Sequence, residues 1–145
     1  MTASKQQRLR QQEPIKWWRT FPAEEFDRAR VSILRAILST IAILEEPTWR
    51  SAASGNAAAA IGLALRLNPS RSTSTGYDLI VTALAICAAE GNAAACICMS
   101  HILRKIPGAG KSEARIATGW LTHAFDEVLS RRAEKMVSAG NKGAE

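Results

Sequence analysis

Gly55-Asn56-Ala57-Ala58-Ala59 returns as Gly91-Asn92-Ala93-Ala94-Ala95, 36 residues further along the chain. The correspondence continues past the pentapeptide. Ile61 aligns with Ile97, Leu63 with Met99 and Leu67 with Leu103, and each stretch then breaks at a proline, Pro69 and Pro107. A repeat of this period marks a two-helix unit that cannot bury its apolar face alone and stacks on its neighbour. The echo therefore points to an all-α stack before any single helix is placed.

With 145 residues there is enough chain for one core and too little for two. Hydrophobic residues make up 47%, but much of that share is alanine, which implies a thin core between closely packed helices. The net charge is +6, and residues 1–35 hold eight Lys and Arg against four acids, so the basic character is mainly N-terminal. Such a balance permits contact with nucleic acid without demanding it. Cys87, Cys96 and Cys98 are odd in number and lie in apolar surroundings. Reduced, buried thiols in a cytoplasmic protein are the simplest reading. No signal peptide is expected, because Lys5, Arg8 and Arg10 lead into a polar stretch and not an apolar one. No membrane span is expected either: the run 31–44 is short, and Glu90-Gly91-Asn92 interrupts 79–103.

Along the chain, residues 1–14 read as a disordered basic tail, 15–137 as one helical domain and 138–145 as a flexible tail. The first helix is expected from Pro22 to the break at Pro47, with Phe26, Ile33, Leu34, Ile37, Leu38, Ile41 and Leu44 at three- and four-residue spacing. The second covers about 54–67. There Ile61, Leu63, Leu65 and Leu67 alternate like a strand, but the accompanying alanines favour helix. Thr75 with Asp78 suggests a capping box opening a third helix, which Gly91 ends. Residues 93–106 are apolar nearly all round and are expected at the centre of the core. A last helix, capped by Ser112, carries a stripe of Ile116, Ala117, Trp120, Leu121, Ala124, Val128 and Leu129. The expected architecture is thus about five helices, the last four forming two consecutive hairpins and the first packing across them.

Ala88-Ala89-Glu90-Gly91-Asn92-Ala93 resembles the junction between units in Sel-like repeats, a branch of the tetratricopeptide superfamily. There an A-A-E-x-G-N-A stretch closes one helical hairpin and opens the next. The resemblance covers residues 51–125 as two degenerate units. One residue is missing between Glu90 and Gly91, and the family's Leu-Gly pair and tyrosines are absent. It implies a hairpin stack used for protein–protein contact, with no catalytic residues to carry over.

Four constellations could carry chemistry. Gly108-Ala109-Gly110-Lys111-Ser112 looks like part of a phosphate loop, but the position that should hold its first glycine is Lys105, and no strand precedes it. Cys87, Cys96, Cys98 and His101 have metal-ligand chemistry, yet two positions two apart on a helix point away from each other, so Cys96 and Cys98 cannot share an ion. His123 has Asp126 and Glu127 three and four residues on, a base-orienting pattern that is equally an ordinary helix-surface arrangement. Arg8, Arg10, Lys16, Trp17, Trp18 and Arg19 mix cations for phosphates with rings for bases. The alternative for that segment is a tail followed by tryptophans that dock on the first helix. The functional expectation is a small interaction or adaptor protein with a protein partner, no catalysis and no cofactor. Its rival is a nucleic-acid-binding accessory factor that uses the basic tryptophan segment.

Overall fold

Residues 77–88 set the architecture. All twelve are buried, although only Asp78 and Thr82 among them carry markedly polar side chains. A helix that is apolar all round has to be surrounded, and the rest of the chain surrounds this one. The computed structural model describes residues 13–43 and 45–143, with side chains as far as 139. Among these residues there is no strand. Seven α-helices follow one another: α1 (Trp17–Thr20), α2 (Arg28–Ser39), α3 (Trp49–Ala53), α4 (Ala57–Leu65), α5 (Thr75–Ala89), α6 (Ala93–Lys105) and α7 (Lys111–Gly143). Short 3-10 turns occupy Pro14–Lys16, Ala23–Glu25 and Pro69–Arg71. Helix α5 packs against α6, α4, α2 and α1, and the most extensive contact of all joins α6 to α7.

The all-α class stands, with seven helices where five were expected. The two extra ones, α1 and α3, have four and five residues, too few to show a period. The centre of the core also shifts, from 93–106 to α5. In α6 the Ile97 side chain is exposed, whereas α5 shows nothing to solvent between Tyr77 and Ala88.

The first helix is shorter than its apolar spacing suggests. Pro22 leads only into a 3-10 turn, and Asp27 caps α2 by accepting from the Arg30 N–H at 2.9 Å. At the other end the Ser39 and Thr40 hydroxyls donate to the Ala36 and Ile37 carbonyls. These bonds compete with continuation of the helix. Ile41 and Ile43 still pack on the core, but from a loop whose Ile41 carbonyl accepts from Trp49 Nε1 at 2.9 Å. The cap of α5 lies one residue earlier than expected: Ser74, not Thr75, accepts from the Tyr77 N–H. Helix α7 likewise opens without Ser112. Glu113 reaches back to accept from the Gly110 N–H at 2.8 Å, and the helix runs through the segment expected to be a flexible tail, as far as Gly143.

The echo proves to be one local structure made twice. Gly55 ends α3 at φ 107° and Gly91 ends α5 at φ 99°. Each glycine N–H donates three residues back, to Ala52 and Ala88, and each following asparagine N–H donates five back, to Ser51 and Cys87. That pair of bonds is a Schellman closure, and its glycine takes a conformation L side chains avoid. The asparagine side chain then caps the next helix. Asn56 accepts from Ala59 at 3.0 Å and Asn92 from Ala95 at 2.9 Å. One dipeptide therefore stops a helix and starts another. The two turns lie together: Cys87 Sγ is 3.8 Å from the Gly55 carbonyl oxygen, and Arg35 of α2 pairs with Glu90 beside both.

Alanine at Gly91 would lose stability, because the φ is unfavourable and its Cβ would stand 3.0 Å from Glu127 Oε2. We expect Gly91→Ala to cost about 2–3 kcal/mol by urea unfolding, within the usual range for strained backbone. Gly55→Ala should cost less, since its nearest neighbour is the mobile end of Arg35 at 3.3 Å. Equal losses would show that Glu127 contributes nothing at this turn.

Candidate functional site

Helix α5 carries two buried polar side chains, and both are used by the N-terminal segment. Asp78 is 1% exposed, and its Oδ1 accepts from Trp18 Nε1 at 3.0 Å and from Arg19 Nε at 2.9 Å. One turn on, the Thr82 hydroxyl donates to the Ile15 carbonyl at 2.8 Å. Arg19 also donates to the Ser72 carbonyl, and its guanidinium lies 4.4 Å from the Trp18 ring centroid. A buried carboxylate needs a partner charge and filled lone pairs. The chain supplies both from Trp18-Arg19.

The sequence-derived binding residues accordingly separate. Arg8 and Arg10 lie outside the described residues. Lys16 is exposed. Trp17 is half-buried and stacks on Phe21 with centroids 5.4 Å apart. Trp18 is inside the core, and Arg19 is held by Asp78. Trp18 docks on α5 and not on the first long helix as expected, while Trp17 packs on Phe21. Asp78 was legible only as a cap, because a carboxylate three residues after Thr75 fits that role equally well.

The other constellations do not assemble. All three cysteines are free and buried. Burial, and to a lesser extent the charge of Glu127, pushes the Cys96 thiol up to about 11; burial likewise raises Cys87 and Cys98. Among the described residues no three His, Cys, Asp or Glu side chains form a group that could hold a metal ion. At the glycine-rich break, the carboxylate of Glu113 sits at the start of α7, where a phosphate would have to sit. The backbone hydrogen bonds it accepts there hold it below the usual carboxylate range. His123 stands edge-on to Trp120 with centroids 6.0 Å apart, and its Nε2 is buried without a hydrogen-bond partner. Glu127 is turned instead toward Gly91.

What the sequence did not show is the outer face of α7. The expected single stripe divides in two. Ala117, Trp120 and Ala124 face the core, whereas Val128 and Leu129 are exposed with Phe125, Met136 and Val137. At 100° per residue, Phe125, Leu129 and Met136 fall within about 40° of one another, well round the helix from Ala117, Trp120 and Ala124. Arg131 donates to the Gly91 carbonyl at 3.3 Å. Beyond this last tether every described side chain of α7 is exposed. The helix has left the core while still carrying an apolar side.

Two outcomes follow for the buried groups. Asp78→Ala leaves Trp18 Nε1 and the Arg19 guanidinium without their acceptor. Urea unfolding should show a loss of about 3 kcal/mol, the lower end for breaking a buried pair because Arg19 is a quarter exposed. Arg19→Ala should cost less, since Trp18 still serves Asp78. The thiols should react with a disulfide reagent at pH 8 only as fast as the chain opens, because all three are buried away from the reagent. Rapid labelling of the native protein would contradict their burial.

Comparison of the chain with protein-family models, with curated proteins and with solved structures returns no match.

Proposed function

We propose that this chain is a small cytoplasmic interaction module that docks a protein partner on the outer face of α7. The observation that carries the reading is the exposure of Phe125 at 68%, Leu129 at 60% and Met136 at 75% along one side of α7, turned away from Ala117, Trp120 and Ala124. Scattered apolar side chains need no explanation, but a contiguous row on one projecting helix marks an interaction site. No described helix is long and apolar enough to cross a membrane, so this row is not part of a span. The resemblance of the 36-residue units to hairpin repeats used for protein contact supports the same reading. The nucleic-acid rival has fewer groups to work with in the described segment: Lys16 and the open edge of Trp17, once Trp18 and Arg19 serve Asp78.

The test is affinity capture from the native host with and without nuclease, using the wild-type chain and a Phe125→Asp, Met136→Asp variant. We expect a nuclease-resistant partner whose capture falls at least about tenfold in the variant, while thermal stability changes little because both side chains are exposed. Capture that nuclease abolishes, or that ignores both substitutions, would remove the basis of the proposal.

A further inference from the structure

The exposed face of α7 has a regular register. Thr118, Thr122, Phe125, Leu129, Arg132 and Met136 follow at alternating steps of four and three residues, with Ala139 next, and all are exposed. Phe125, Leu129 and Met136 are the large apolar side chains in this register, and apolar residues at such steps form the seam by which two helices pack side by side. Arg132 is the one charge in it.

Resting on the interaction reading above, we propose that the partner on this face is a second copy of the same chain, with the two α7 helices antiparallel about a two-fold between residues 130 and 131. In that register Phe125 lies opposite Met136, Leu129 opposite Arg132, and Thr122 opposite Ala139. Arg132 then sits about one turn from Asp126 of the other copy, at the edge of the seam. Its aliphatic stem covers Leu129 while its guanidinium reaches the carboxylate. The parallel arrangement is disfavoured because it sets Arg132 against Arg132 within the seam. It also brings the two cores to the same end. The antiparallel one sends them to opposite ends, and each copy's C-terminal turns run over the exposed Thr118–Thr122 face of the other.

The overlap of residues 122–139 is roughly 26 Å long at 1.5 Å per residue. A seam of this length falls among small interfaces, below about 1,200 Å². The dimer is therefore reversible, with a dissociation constant in the micromolar range.

Sedimentation equilibrium of the full chain between about 5 and 200 µM tests this, a span that brackets a micromolar constant. The average mass should rise from 15.7 kDa toward twice that value. Leu129→Glu should leave monomer throughout. Asp126→Arg or Arg132→Asp alone should weaken association about tenfold, and the two together should restore it to within about twofold, as a swapped pair does in a double-mutant cycle. Circular dichroism should be the same for all variants, because the altered side chains are exposed. A wild-type chain that stays monomeric at 200 µM, a dimer indifferent to Leu129→Glu, or a failure of the double charge swap would each overturn the proposal. A monomer that still captures another protein through Phe125 and Met136 would sink self-pairing and keep the interaction reading. A monomer that captures nothing would sink both.

Discussion

The carboxylate of Asp78 is the interaction on which the assembly turns. It sits on the most enclosed helix of the molecule, where an unpaired charge would be prohibitive. Among the described residues, Trp18 and Arg19 of the N-terminal segment relieve it. Because Trp18 and Arg19 must reach α5, the following residues are brought across the bundle. Phe21 and Phe26 stand 6.4 Å apart, and Phe26 lies 5.5 Å from Trp120 of α7. A run of aromatic rings, Trp17, Phe21, Phe26 and Trp120, thus leads from the neighbour of Trp18 to α7. Their area stabilises the fold, and the carboxylate fixes where they lie, so burial and specificity come from the same few residues.

The second organising device is the Gly-Asn dipeptide. Two helices meeting at a tight turn leave carbonyls at one end and N–H groups at the other. Here Gly55 and Gly91 satisfy the first set through their backbone, and Asn56 and Asn92 begin to satisfy the second through their side chains. Both turns come together at one end of the molecule, where charged side chains from distant helices close over them: Arg35 beside Gly55, and Glu127 with Arg131 at Gly91. After Ala117, Trp120 and Ala124, the next anchor of α7 is therefore the echo itself.

Much of this was legible in the residues. Helix class followed from alanine content and three- and four-residue spacing, and it correctly overrode the strand-like alternation at Ile61–Leu67, where Leu63 is buried and Leu65 exposed. The ends of helices were less legible, because several residues compete for each cap: Ser74 with Thr75, Asp27 with the acids before it, Glu113 with Ser112. Asp78 was read as a local cap because nothing in spacing distinguishes a carboxylate that bends back from one that meets a tryptophan 60 residues away. Val128 and Leu129 continued the stripe of Trp120 by eye, yet a helix carries no mark showing where its neighbour stops. The outer face of α7 depends on where its neighbours end, and among the described residues its last tether is Arg131 on Gly91.

Between Trp120 and Ala139 the chain has neither glycine nor proline. The free half of α7 is therefore an unbroken continuation of the half inside the core, and its heading is fixed by where Trp120, Glu127 and Arg131 are seated. Its outer face is indexed to the bundle in rotation as well as in distance. Each residue inserted into that stretch would advance Met136 by about 1.5 Å and swing it through about 100°. A change in the length of this rod would therefore re-aim its apolar side without altering a single contact of the core.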